Sequence, residues 1–211
     1  MLAALFVALV ATPSLAQMDL TAGVKAGVDF ANLGADTDQL IGVSPDSKFG
    51  FSFGGFFGIQ LHEYFMVQAD GQYVQKGASF SEAGDEIDAN VDYIEFMFPA
   101  TLTIPTQGNI TPRVYAGPAI AFEVGCNISG EEGGASIEID CETFGVETKS
   151  VDFGLFFGGG IDVSVGSGAV MLDVLYNLGL TNVNDTPGEE DFDVTNQNIQ
   201  IVAGYKFFFG G

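Results

Sequence analysis

Val91–Thr103 reads VDYIEFMFPATLT, and its two parities separate. One carries Ile94, Phe96, Phe98, Ala100 and Leu102, and the other carries Tyr93, Glu95, Met97, Pro99, Thr101 and Thr103. A period of two shows two distinct faces only on an extended strand. Similar alternation recurs along the chain, and the strands it predicts run approximately over 20–33, 49–61, 65–77, 90–103, 111–124, 150–163, 169–181 and 195–209. Long connections at 34–48, 78–89, 125–149 and 182–194 alternate with short ones at 62–64, 104–110 and 164–168. With 29 glycines and no sustained helical period, residues 17–211 are read as one all-β domain.

Alternation alone fits a membrane barrel and a soluble, ligand-holding barrel equally well. The contents of the two faces separate them. One parity holds Val24, Phe30, Phe51, Phe53, Phe57, Val114, Phe122, Phe153, Leu155, Phe157, Leu172, Val174, Ile201 and Phe207, with no charge on it. The other mixes Lys25, Asp29, Asp70, Glu95, Arg113, Glu123, Asp152, Asp162, Asp173 and Lys206 with many glycines. Glycine on a wet strand face packs nothing, whereas in a narrow lumen it makes room for neighbouring side chains. The charged parity is therefore expected inside, and the aromatics, too many for so small an interior, outside in lipid.

Met1–Ala16 is an apolar run closing on Pro13-Ser14-Leu15-Ala16 before Gln17, which predicts a signal peptide over 1–16 and an exported product. The run is shorter than the roughly 18 to 20 apolar residues that a membrane-spanning helix needs. The formal charge of −22, from 28 acids against 6 bases, repels nucleic acid, so nucleic-acid binding is dropped as a function. Of those acids, 18 fall in the four long connections. Cys126 and Cys141 lie in one such connection of a chain expected outside the cytosol, which predicts a disulfide contributing roughly 3 kcal/mol in the chain-entropy model. Zinc ligation is the weaker alternative, because no third cysteine and no histidine lies nearby.

Taken in chain order, GVKAGVDFANLG (23–34), ADGQYVQKGA (69–78), DYIEFMFPATLTI (92–104), YAGPAIAF (115–122), VDFGLFFGGGIDV (151–163), LYNLGLTNV (175–183) and AGYKFFF (203–209) resemble the porin-family (PorT-like, OmpX/OmpA-like) outer-membrane β-barrel proteins of Gram-negative bacteria. The resemblance covers the whole chain after the leader. It implies an eight-stranded antiparallel up-and-down transmembrane β-barrel in the outer membrane, with outer-membrane lipid and the outer-membrane assembly machinery as partners. In such barrels periplasmic turns are short and both termini are periplasmic, which orients the long acidic connections outward. Two departures stand out: Leu175, where similar proteins often carry Arg, and Gly210-Gly211 beyond the terminal aromatic.

Outer-membrane enzymes of the protease, phospholipase or acyltransferase kind need a histidine among their catalytic groups. The chain has one, His62, beside Glu63 in a predicted turn, so no enzyme and no cofactor are expected. Inside the barrel, Lys25, Arg113 and Lys206 are expected to meet Asp70, Asp162 and Asp173, with Arg113–Asp162 and Lys206–Asp173 as the leading pairs. Asp29, Glu95, Glu123 and Asp152 form an outer-half cluster expected to lack a basic partner. Waters and shifted carboxyls are one reading of it, and a calcium-type cation site the other. The functional expectation is a structural or surface-contact barrel acting through its loops toward a surface ligand or divalent cation. The alternatives are a narrow or gated cation-favouring channel and a soluble periplasmic lipocalin-like ligand binder.

Overall fold

A computed structural model describes residues 19–35, 46–82, 85–132, 135–144, 149–182 and 194–209. The expected signal peptide over 1–16, much of the first and seventh connections, and Gly210-Gly211 lie outside the described residues. The strands are β1 (Leu20–Ala35), β2 (Asp46–His62), β3 (Phe65–Glu82), β4 (Asp85–Met97), β5 (Ala100–Thr103), β6 (Ile110–Glu132), β7 (Ala135–Asp140), β8 (Val151–Val165), β9 (Gly168–Gly179) and β10 (Val194–Phe209). A short helix, α1, covers Cys141–Phe144.

Each strand pairs antiparallel with its neighbours, and the ladder returns on itself because β2 pairs with both β1 and β3 while β1 pairs with β10. β4 and β5 share one stave, since both lie between β3 and β6 in the same register. The break falls at Phe98-Pro99, where proline has no N–H for the ladder; Phe98 N–H still reaches Pro118 O and Gln68 N–H reaches Pro99 O. Eight staves close the ring, as the eight alternating segments of the sequence lead one to expect.

Burial divides the parities as expected. Val24, Phe49, Phe51, Phe53, Phe57, Phe153, Leu155, Phe157, Leu172 and Val174 are exposed, as a lipid-facing band requires, while Lys25, Asp29, Asp70, Glu95, Arg113, Asp152, Asp173 and Lys206 are buried. A lipocalin-like dry ligand chamber has the opposite arrangement. One detail corrects the expectation that the aromatics all lie outside. Tyr93 takes the lumen side that its parity gives it, but Phe56 and Phe156 are buried there as well, against Gly23 and Gly117.

The third and fifth connections are not loops. β3 and β4 run on as a hairpin to Glu82 and Asp85, and β6 continues to Glu132 to pair with both β4 and β7. Their polar composition hid them, because it lacks the alternation of apolar and polar residues that marks the rest of the wall. Two irregularities mark where the wall leaves the membrane band. The β2–β3 register shifts between Ser47 and Ser52, and the β4–β6 register shifts at Asp92/Tyr93. Beside the first lies Gly77 at φ 138°, a conformation L side chains rarely adopt, and a Cβ there would meet Ala89 O.

Candidate functional site

The lumen is filled in layers. At the tight-turn end, Lys25 Nζ meets Asp70 Oδ2 at 2.7 Å. Arg113 binds two carboxylates, Asp162 Oδ1 at 2.9 Å through Nε and Asp173 Oδ2 at 2.6 Å through a terminal nitrogen. Lys206 Nζ takes the other oxygen of Asp162 at 2.5 Å. All four of Arg113, Asp162, Asp173 and Lys206 therefore share one network, but Lys206 pairs with Asp162 and not, as expected, with Asp173. The reach explains the glycines. Arg113 on β6 stands opposite Gly160 on β8, which stands opposite Asp173 on β9, so the guanidinium crosses a stave that has no side chain in its way. Buried charges paired in this manner avoid the cost of unpaired burial.

Above this layer, Met97, Ala119, Phe156, Leu175 and Val202 pack as one buried cluster contributed by β4, β6, β8, β9 and β10, with Tyr115 against it. Leu175, where the resemblance leads one to expect Arg, is part of this apolar septum. A cavity of about 20 Å³ lies between the septum and the charged layer, room for one or two waters and no larger solute.

The outer half is polar again, and here the sequence reading needs correcting. Lys76 lies in the lumen with its Nζ 2.7 Å from Glu95 Oε1 and 5.2 Å from the centroid of the Tyr93 ring. Glu95 also accepts from Gln72 Nε2 at 2.7 Å and from Asn177 Nδ2 at 3.2 Å. Asp29 accepts from Asn198 Nδ2 at 2.7 Å and Asp152 from Asn196 Nδ2 at 3.0 Å. The expected cluster of Asp29, Glu95, Glu123 and Asp152 is thus divided among separate partners, and Glu123 is only half-buried. Among the described residues no three His, Cys, Asp or Glu side chains come together as a metal site. Parity already signals Lys76, which stands in step with Asp70 and Gln72, and the run of Asn196, Asn198 and Gln200 on one parity of β10.

Outside the band, Cys126 and Cys141 form the disulfide, with Cα atoms 5.5 Å apart. Cys126 stands opposite Val91 on β4, so the bond ties α1 and β7 back to the rim. Lys48 Nζ pairs with Asp88 Oδ2 at 2.9 Å, and the Ser79 hydroxyl also donates to Asp88, joining β2, β3 and β4 at the β2–β3 register shift. Partial burial pushes the Asp88 carboxyl up, but the Ser79 and Lys48 contacts outweigh it and hold the group below the usual carboxylate range. His62 sits at the opposite end, in the β2–β3 turn, where its Nδ1 accepts the Tyr64 N–H at 3.4 Å and its ring leans on Tyr64.

Comparison with known proteins agrees with this geometry. A family described as "Outer membrane protein beta-barrel domain" matches residues 2–207. Among solved structures, neisserial surface protein A superimposes with a TM-score of 0.52 at 17% identity, covering 89% of this chain and 97% of that one. The outer membrane protein OprG from Pseudomonas aeruginosa gives a TM-score of 0.53 at 12% identity, covering 93% and 97%. At these identities the likeness speaks to the fold. The comparison with curated proteins returned no match.

Proposed function

Because the chain belongs to the outer membrane protein β-barrel domain family, we propose that it is a closed, non-enzymatic barrel of the outer membrane that presents acidic hairpins and loops for contact beyond the cell surface. The observation that carries this reading is the septum of Met97, Phe156, Leu175 and Val202, packed inside the lumen next to the ion-paired Arg113 layer. Among the described residues, the built structure beyond the membrane band lies at one end, in the extended β3–β4 and β6–β7 hairpins. The other end has tight turns and both ends of the wall, where Leu20 pairs with Phe209, and is read as periplasmic. Leu20 and Phe209, the two ends of the wall, then face the periplasm.

The absence of catalysis is supported by the one histidine, which is engaged in a turn beside Tyr64 at that periplasmic end. The partners of this reading are outer-membrane lipid along the aromatic wall, the assembly machinery during insertion, and a basic surface ligand or divalent cation at the acidic loops.

Planar-bilayer recording of the refolded barrel tests it. We expect no steady current under applied voltage. Discrete cation-selective steps would replace it with the second reading, a narrow channel, which the surplus of carboxylates over bases on the lumen face favours.

A further inference from the structure

The long strand β6 changes partner along one of its edges. Up to Phe122 that edge is paired with β8, whose ladder begins at Val151, and from Asn127 to Glu132 it is paired with β7. Between the two ladders, Glu123 N–H reaches Ser150 O. Cys126 stands in this gap, one residue before the β7 ladder begins, and Cys141 directly follows Asp140, the partner of Asn127 in that ladder. The disulfide therefore closes the base of the β6–β7 hairpin, at the point where β6 passes from one partner to the other.

The two strands of this hairpin are held unequally. On its other edge β6 keeps β4, from Asn90 opposite Asn127 to Ile87 opposite Gly130, and Asn90 Nδ2 donates to Ser129 Oγ at 3.1 Å. β4 is braced in turn through Asp88 and Lys48. β7 is six residues long and, among the described residues, pairs with β6 alone. A short strand held along one edge in water is marginal by itself. A bond between cysteines 15 apart in sequence removes much of the chain freedom that release of β7 would bring.

We propose that Cys126–Cys141 is a redox latch. Intact, it holds β7 on the rim; reduced by a dithiol, it frees β7 and uncovers the backbone edge of β6 from Asn127 to Glu132, while the β4–β6 ladder and the barrel stay as they are. The exchange balances as two electrons and two protons. A thiolate of the reductant attacks the sulfur of Cys126, which is half-buried where Cys141 is 4% exposed, and Cys141 leaves and takes a proton. The second thiol of the reductant then closes its own disulfide and releases Cys126 as a thiol.

The test uses the full barrel refolded with its disulfide in detergent, with and without excess dithiothreitol, the new thiols being counted by maleimide labelling. Reduction should speed hydrogen exchange of the β7 amides paired with β6 by on the order of 100-fold. It should leave exchange in Ile87–Asn90 and the heat-modifiable gel mobility of the barrel unchanged. Cys126→Ser with Cys141→Ser should exchange like the reduced protein without any dithiol. Equal β7 exchange in the oxidised and reduced barrels would overturn the proposal, because pairing alone would then hold the strand. A disulfide that excess dithiol leaves intact in the folded barrel would overturn it too, as would loss of protection in Ile87–Asn90, which would make the bond a brace of the whole rim. Should the double variant fail to fold, the wild-type comparison decides alone.

Discussion

A Cβ placed on Gly160 would collide with Oδ1 of Asp173, so the carboxylate that Arg113 grips occupies space that only a glycine leaves free. The glycine-rich run of β8 is therefore part of the charge network. Gly160→Ala should lower stability by about 1–3 kcal/mol, as overpacking does. Removing the carboxylate as well should recover little of it, because Leu172 O lies just as near. Urea titration of the refolded barrel in micelles would measure both.

Arg113 neutralises two acids, and its loss affects them unequally. In Arg113→Leu, Asp162 retains Lys206, but Asp173 is left buried without its ion-pair partner. The expected cost is about 3–5 kcal/mol. Adding Asp173→Asn should restore part of the loss, and a double variant no better than the single one would mean that the Arg113–Asp162 contact dominates.

At the rim, Asp88 gives the outer hairpin a pH dependence of known sign. Its folded carboxyl titrates below the unfolded value of about 4. The Lys48–Asp88 contribution is therefore fully present above that value and is lost as pH falls through the lower folded one. Protease resistance of the β3–β4 hairpin should drop on acidification in that window, and Asp88→Asn should already show the lowered resistance at neutral pH.

The septum can be emptied by design. Phe156→Ala with Leu175→Ala should let a barrel that is silent in bilayers pass a small current, with a folding cost of several kcal/mol from the cavity left behind. A double variant as silent as its parent would assign closure to the ion-paired layers.

How much of this was legible depended on which residues met lipid. Wherever Phe51, Phe153 or Leu172 alternates with a lumen residue, contrast between two environments writes the strand into the sequence, and the ring of eight staves follows. Beyond Gly77 and Asp92 the apolar–polar contrast fades from the sequence, and β7 with the tops of β3, β4 and β6 became visible only through their pairing. The charge layer was half legible. Parity selects Arg113, Asp162, Asp173 and Lys206, but which acid each base takes depends on reach across a stave, which no one-dimensional pattern records. Phe56 and Phe156 stand on the lumen parity, in space that Gly23 and Gly117 leave free, where the general rule that aromatics face lipid does not reach.

The seam between β1 and β10 has a kinetic consequence. Every other junction of the wall joins strands close in sequence, formed by local zipping, whereas Leu20–Ala35 must wait for Val194–Phe209 at the far end of the chain. Until the second segment arrives, the growing sheet keeps two raw edges of backbone donors and acceptors, which hydrocarbon cannot satisfy. Closure is therefore the last and slowest event, and an incomplete barrel has no stable resting place in the bilayer.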